Sequence, residues 1–203
     1  LVPYGEFLPG ARWIPFFRWF IPIAEDFSPG KEQTIFSLRG PTLRWQEPGG
    51  AMRSEIRMIR FGVVICFEDA FSELFRSYCE HNQLDFMVNM TNDAWFRNSG
   101  ASIQHANLAV FRAVENRMPL LRATNTGYTC LIDPYGRIRA DVRVDGSIFV
   151  PGTLVSEVSP LRVKTPFSKM GDFFAHACLV LALVKAYMIW RDRLRKPSAF
   201  PGS

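Results

Sequence analysis

Phe61-Gly62-Val63-Val64-Ile65-Cys66-Phe67-Glu68 is the stretch on which the reading of this 203-residue chain turns. Its first five residues are an unbroken apolar run, as expected of a strand buried on both faces in a parallel sheet. The segment 68–80 that follows brings Ala70, Phe71, Leu74, Phe75 and Tyr78 onto one face of a helix. Cys66 therefore sits at a strand-to-helix elbow. A thiol there lies before a helix N-terminus and beside backbone N–H groups able to bind an oxyanion, which is nucleophile chemistry. By position alone, an inert core cysteine is the commoner outcome for an apolar-flanked thiol.

Outward from the elbow, 34–38 and 56–65 read as strands with Pro48-Gly49-Gly50 marking the turn region between them. Residues 85–90 form a further buried strand that ends in the polar loop Thr91-Asn92-Asp93. A second helix covers 103–117 with the small-residue stripe Ala106, Ala109, Val110 and Ala113, and strands follow at 120–124, 128–133 and 138–144. This alternation predicts an α/β fold. His105, on the first turn of the second helix, reads as a surface or capping residue. Cys79 and Cys130 read as core thiols.

Composition removes several function classes. At 48% hydrophobic and 21% charged residues the chain is not disordered. The net charge of +5 is modest and forms no nucleic-acid stripe. The four cysteines are irregularly spaced, giving neither a metal site nor a disulfide framework. The apolar run 173–190 is interrupted only by His176 and Lys185, and Arg191, Arg193, Arg195 and Lys196 follow it. At about 1.5 Å per residue it approaches the roughly 30 Å of a bilayer core, and the basic flank would lie in the cytoplasm. Cys178 would then pack within the membrane. A buried C-terminal helix is the alternative. In 1–29, prolines break an aromatic-rich segment whose Trp13, Phe16, Phe17, Trp19 and Phe20 suit either a core or a lipid-facing arm. The first residues show no signal peptide and read as the middle of a domain, so the expectation is a piece of a longer protein.

Four segments in order resemble the nitrilase superfamily, and in particular its membrane-bound branch, the apolipoprotein N-acyltransferases. They are Leu1-Val2-Pro3-Tyr4-Gly5-Glu6-Phe7-Leu8-Pro9, Val64-Ile65-Cys66-Phe67-Glu68, Asn89-Met90-Thr91-Asn92-Asp93-Ala94-Trp95-Phe96, and Arg112-Ala113-Val114-Glu115-Asn116 through Arg122-Ala123-Thr124-Asn125-Thr126-Gly127. Phe67 stands where that family usually has Tyr, and Arg97 where it often has Gly.

The resemblance implies part of an α-β-β-α sandwich over 1–165, a transmembrane helix at 171–191 and a basic cytoplasmic tail at 192–203. It implies Cys66 as nucleophile, Glu6 as a supporting carboxylate, and Phe67 and Glu68 as the oxyanion elbow. Asn92, Asp93 and Trp95 would form a substrate loop. The family's general-base Glu and its Lys would precede Leu1, so residues 1–203 alone are expected to be inactive. The implied reaction carries an acyl chain from a phospholipid to the N-terminal diacylglyceryl-cysteine of a lipoprotein. It needs no metal or organic cofactor and no nucleic acid. The implied setting is the bacterial inner membrane, with a multi-pass full-length protein and its catalytic domain on the periplasmic side. A soluble-type amidase or nitrilase and a catalytically dead membrane-anchored domain are the competing readings.

Overall fold

The computed structural model describes residues 30–195 apart from 47, 48, 51 and 82. Six strands form one mixed sheet in chain order: β1 (Ile35–Gln46), β2 (Met52–Ile65), β3 (Phe86–Thr91), β4 (Leu120–Thr124), β5 (Cys130–Ile132) and β6 (Ile138–Asp141). The central pairs β2–β3 and β3–β4 are parallel, and the outer pairs are antiparallel. Parallel neighbours need crossover connections. These are supplied by α1 (Ser72–His81) and α2 (Ala101–Asn116). The expected α/β class holds.

Both helices cover the same face of the sheet. Val64, Met87, Leu120 and Ile132 from the strands pack with Phe75, Tyr78, Ala106, Ala109 and Ala113 from the helices in one core. The alanine stripe on α2 allows close approach to the sheet. Gly62 does the same for α1, since a Cβ there would lie 2.8 Å from both Met87 Sδ and the Tyr78 ring. On the opposite face, Phe36, Phe61 and Phe86 stack across β1, β2 and β3 with centroid separations of 5.3 and 5.1 Å. Leu38, Ile65 and Met90 on that face are exposed. The described residues thus form one helix-covered sheet with an apolar second face.

Several boundaries differ from the sequence reading. The first strand runs on to Gln46, pairing with β2 through an irregularity between Arg39 and Thr42. The single helix expected at 68–80 is broken. Cys66–Ala70 is a 3-10 helix, Phe71 is extended, and α1 begins at Ser72. The break turns Asp69 inward, leaves Phe71 exposed, and still directs Phe75 and Tyr78 at the sheet. The second helix stops at Asn116 because Arg117 adopts a left-handed conformation, and Pro119 follows. The strand expected at 138–144 ends at Asp141.

A short α3 (Pro166–Met170) is capped by Thr165, whose hydroxyl accepts from Ser168 N at 2.9 Å. Beyond it, α4 (Phe173–Arg195) contains the 20-residue apolar stretch Phe173–Asp192, of mean hydropathy 1.8, and none of that stretch is buried. Among the described residues nothing covers this segment. Glu6 and the aromatic arm residues Trp13, Phe16, Phe17, Trp19 and Phe20 lie outside the described residues.

Filling the space beneath α1 tests this packing. Gly62→Ala should lower the unfolding free energy by about 1–3 kcal/mol, as overpacking of a tight core does. A denaturation midpoint equal to the wild type's would contradict the close approach of α1 to β2.

Candidate active site

Cys66 occupies an unusual backbone position. Its φ is +50°, a left-handed conformation that a residue with a Cβ adopts at a cost of roughly 1–3 kcal/mol, and such strain collects at functional sites. Local bonds hold it there. Glu68 Oε2 accepts from Ile65 N at 2.7 Å, and Asn89 Nδ2 donates to the Cys66 carbonyl at 3.0 Å. Glu68 thus orders the elbow through the backbone. Phe67 follows directly, its ring edge-on to Phe71 at 6.3 Å.

The loop after β3 comes to the same place. Cys66 Sγ is 4.0 Å from the Asn92 carbonyl oxygen. Asn92 caps the second 3-10 helix, Asp93–Phe96, by accepting from Ala94 N at 3.2 Å, and Asn125 Nδ2 donates to the same side-chain oxygen at 2.7 Å. Trp95 is 77% exposed beside this loop. Asp93, expected to face a substrate with Asn92 and Trp95, instead turns inward and is fully buried.

Asp93 turns in because partners await it. Arg122 Nη2 donates to Asp93 Oδ2 at 3.0 Å, and Arg122 Nη1 donates to Asp69 Oδ2, also at 3.0 Å. His105 completes the cluster, with Nδ1 2.8 Å from Asp93 Oδ1 and Nε2 3.1 Å from Asp69 Oδ1. Thr91 Oγ1 also donates to Asp93 Oδ1, at 3.2 Å. The surface or capping role read for His105 is therefore incorrect: the residue is 3% exposed and held between two carboxylates. With both carboxylates ionised, both ring nitrogens donate and the ring is an imidazolium, with Arg122 Nη2 also 3.0 Å from Nδ1. Burial by itself lowers the His105 pKa. Hydrogen bonds to Asp69 and Asp93 and the charge of Asp69 overcome this and raise it to about 9, against the opposing charge of Arg122. Asp93 is likewise disfavoured as an anion by burial, yet bonding to His105 and the charge of Arg122 bring its pKa below the usual value.

The backbone is fitted closely to this cluster. Gly127 has φ +100°, and a Cβ there would lie 2.9 Å from Asp93 Oδ2 and 3.0 Å from Ser102 Oγ. Asp69, His105, Arg122 and Asn89 were missed in the sequence as members of the site. Arg122 carried a signal, because strand alternation places it on the inward side with Leu120, where a charge requires a partner. Cys130 is buried and its thiol is pushed up to about 12 by burial, which leaves it inert beside the half-buried Cys66. Among the described residues no group of His, Cys, Asp and Glu could hold a metal ion.

With a strained cysteine at a β-strand elbow, a capped polar loop against its thiol, and an α/β sheet beneath, the class of protein is defined. Residues 25–150 match the carbon-nitrogen hydrolase family, and the chain belongs to it. Among curated relatives, the apolipoprotein N-acyltransferase of Geobacter metallireducens is 39% identical over 193 residues, covering 95% of this chain and 33% of its own length. Apolipoprotein N-acyltransferase 1 of Treponema denticola is 32% identical over 200 residues, covering 98% of this chain and 33% of its own. The Haemophilus influenzae apolipoprotein N-acyltransferase is 31% identical, covering 91% and 31%. The chain thus spans about a third of the length of the curated relatives it matches. A solved amidase of the nitrilase superfamily from Nesterenkonia AN1 is 18% identical, with a TM-score of 0.38, over 61% of this chain and 40% of that one.

The charge on His105 has a pH signature. A group whose pKa rises from 6.5 unfolded to about 9 folded stabilises fully below 6.5, and that contribution is lost as pH rises through about 9. The stability difference between wild type and His105→Gln, measured by denaturation across this range, should be largest near pH 6 and shrink toward pH 9. A difference independent of pH would contradict the imidazolium.

Proposed function

We propose that this chain is the C-terminal part of an apolipoprotein N-acyltransferase in which Cys66 carries the acyl group. The observation that bears most weight is the strained Cys66 elbow with the Asn92 carbonyl oxygen 4.0 Å from its sulfur, in a chain 39% identical to an enzyme of that name. In the first half-reaction the Cys66 thiolate attacks the ester carbonyl of a phospholipid acyl chain. The C–O bond breaks, the lysophospholipid leaves as an alcohol after taking up a proton, and a thioester remains. In the second, the α-amino group of a lipoprotein's diacylglyceryl-cysteine attacks the thioester, the C–S bond breaks, and an amide forms as the thiol is regenerated.

Around that chemistry we assign roles to the chain's own groups. Backbone N–H groups at Phe67 and Glu68 stabilise the tetrahedral oxyanion. Asn92 and the exposed Trp95 line the approach to the sulfur. Glu6 supports the reacting amine, and the aromatic arm from Trp13 to Phe20 borders the lipid. The general base and the lysine of the family mechanism are assigned to no residue of 1–203. Residues 1–165 supply part of a two-sheet sandwich, whose second sheet covers the apolar face of Phe36, Phe61 and Phe86. The segment 171–191 crosses the inner membrane and 192–203 lies in the cytoplasm, with the catalytic domain on the periplasmic side of a multi-pass protein. The unburied apolar length of α4, about 30 Å over 20 residues, supports this placement.

In the full-length protein, Cys66→Ala should abolish transfer of label from phosphatidylethanolamine to a diacylated lipopeptide. Undiminished N-acylation would mean that Cys66 is a core thiol and the mechanism is wrong. The topology has its own check. A protease-sensitive tag after Ser203 should survive digestion of intact spheroplasts and be cut only after lysis. Cleavage from the outside would contradict a cytoplasmic C-terminus.

A further inference from the structure

We infer that His105 is a positioning residue for Cys66, its ring setting the spacing between the two single-turn helices that hold the thiol and the loop against it. The inference rests on the reading of Cys66 as the nucleophile. Asp69 lies three residues after Cys66 within the first of these helices, Cys66–Ala70. Asp93 opens the second, immediately after Asn92, whose carbonyl oxygen is the atom near Sγ. The two carboxylates approach from separate crossovers of the sheet, and one rigid planar ring joins them. Arg122 grips the same pair from β4.

Among the described residues every charged group facing the ring is one of these three, Asp69, Asp93 and Arg122, so within this set two anions meet two cations and the cluster is balanced. The rings of Phe67 and Phe96 stand 5.8 and 5.7 Å from the imidazole centroid and limit its tilt. Both ring nitrogens contact carboxylates, and Arg122 Nη2 also lies 3.0 Å from Nδ1. As an imidazolium so enclosed, His105 takes no proton from sulfur, and its contribution is geometric. Without the bridge, Arg122 alone would hold two carboxylates, leaving one negative charge uncompensated below the elbow. The strained Cys66 backbone would then lose a fixed neighbour, and misplacement of a reacting atom by about 1 Å costs on the order of a hundredfold in rate.

The test uses the full-length enzyme with labelled phosphatidylethanolamine, following acyl-enzyme formation under single-turnover conditions. His105→Gln should lower the maximal rate of acylation at least tenfold, with the phospholipid concentration for half-maximal rate changed less than twofold. The rate of Cys66 alkylation by iodoacetamide should fall alongside. A purely structural histidine would lower the melting temperature and leave both rates of the folded protein unchanged, and that result would overturn the inference. If His105→Gln does not accumulate, Asp69→Ala carries the same test, because it removes the acceptor through which the nucleophile turn is held to the ring. A Cys66→Ala control separates the two failures. Acylation surviving in Cys66→Ala sinks the nucleophile itself. An inactive Cys66→Ala beside a fully active His105→Gln sinks only the positioning role.

Discussion

Two carboxylates buried to the last atom, Asp69 and Asp93, face an imidazolium and a guanidinium inside a sheet-and-helix core, and the placement of the site follows from that arrangement. Isolated ions in such surroundings would be prohibitively costly, and breaking one pair within a cluster of this kind costs about 3–5 kcal/mol. The cluster is therefore an all-or-none device. When it forms, the turn after β2 and the turn after β3 are fixed relative to each other and to β4, and Cys66 is held in a left-handed conformation that it would not choose alone. The sheet supplies the frame, since β2, β3 and β4 are adjacent and parallel and deliver their C-terminal ends to one edge. That edge is where α/β sheets place their ligands.

Much of this could be read from residue order, for reasons that differ by element. The strand at Phe61–Ile65 was plain because an unbroken apolar run has few other uses, although among the described residues only one of its faces is covered and Ile65 is exposed, and the alanine stripe of α2 was plain because it repeats at helical spacing. Cys66 could be singled out by its place at the end of that run. The break at Phe71 was not legible: a helical apolar pattern through Phe71 and Leu74 says nothing of the inward pull that Arg122 exerts on Asp69. His105 and Asp93 were misjudged for the same cause. Each has polar neighbours in sequence, and the partners that bury them lie 12–53 residues apart along the chain. Long-range electrostatic pairing leaves no periodic mark. Only Arg122 betrayed it, as a charge on the inward side of a strand.

The architecture also accounts for a division of labour. The rigid, charge-locked elbow and its capped loop sit on the sheet's C-terminal edge, whereas α4 carries an apolar length that nothing in the described chain buries. In the proposed reaction, where the acyl donor comes from a bilayer, this separation is an advantage. The proposed thioester is reactive toward amines and must be kept from water, and the elbow and its loop expose the apolar side chains Ile65, Phe67 and Trp95, in keeping with an acyl-chain substrate.

The most direct test of the account is the identity of the acylated atom. Full-length protein incubated with a phospholipid of defined acyl chain, without lipopeptide, would be digested and its peptides weighed. The account predicts the acyl mass on the peptide containing Cys66, removed by neutral hydroxylamine as a thioester is and lost on later addition of a diacylated lipopeptide. An acyl group found on another residue, or one on Cys66 that the lipopeptide cannot discharge, would contradict it.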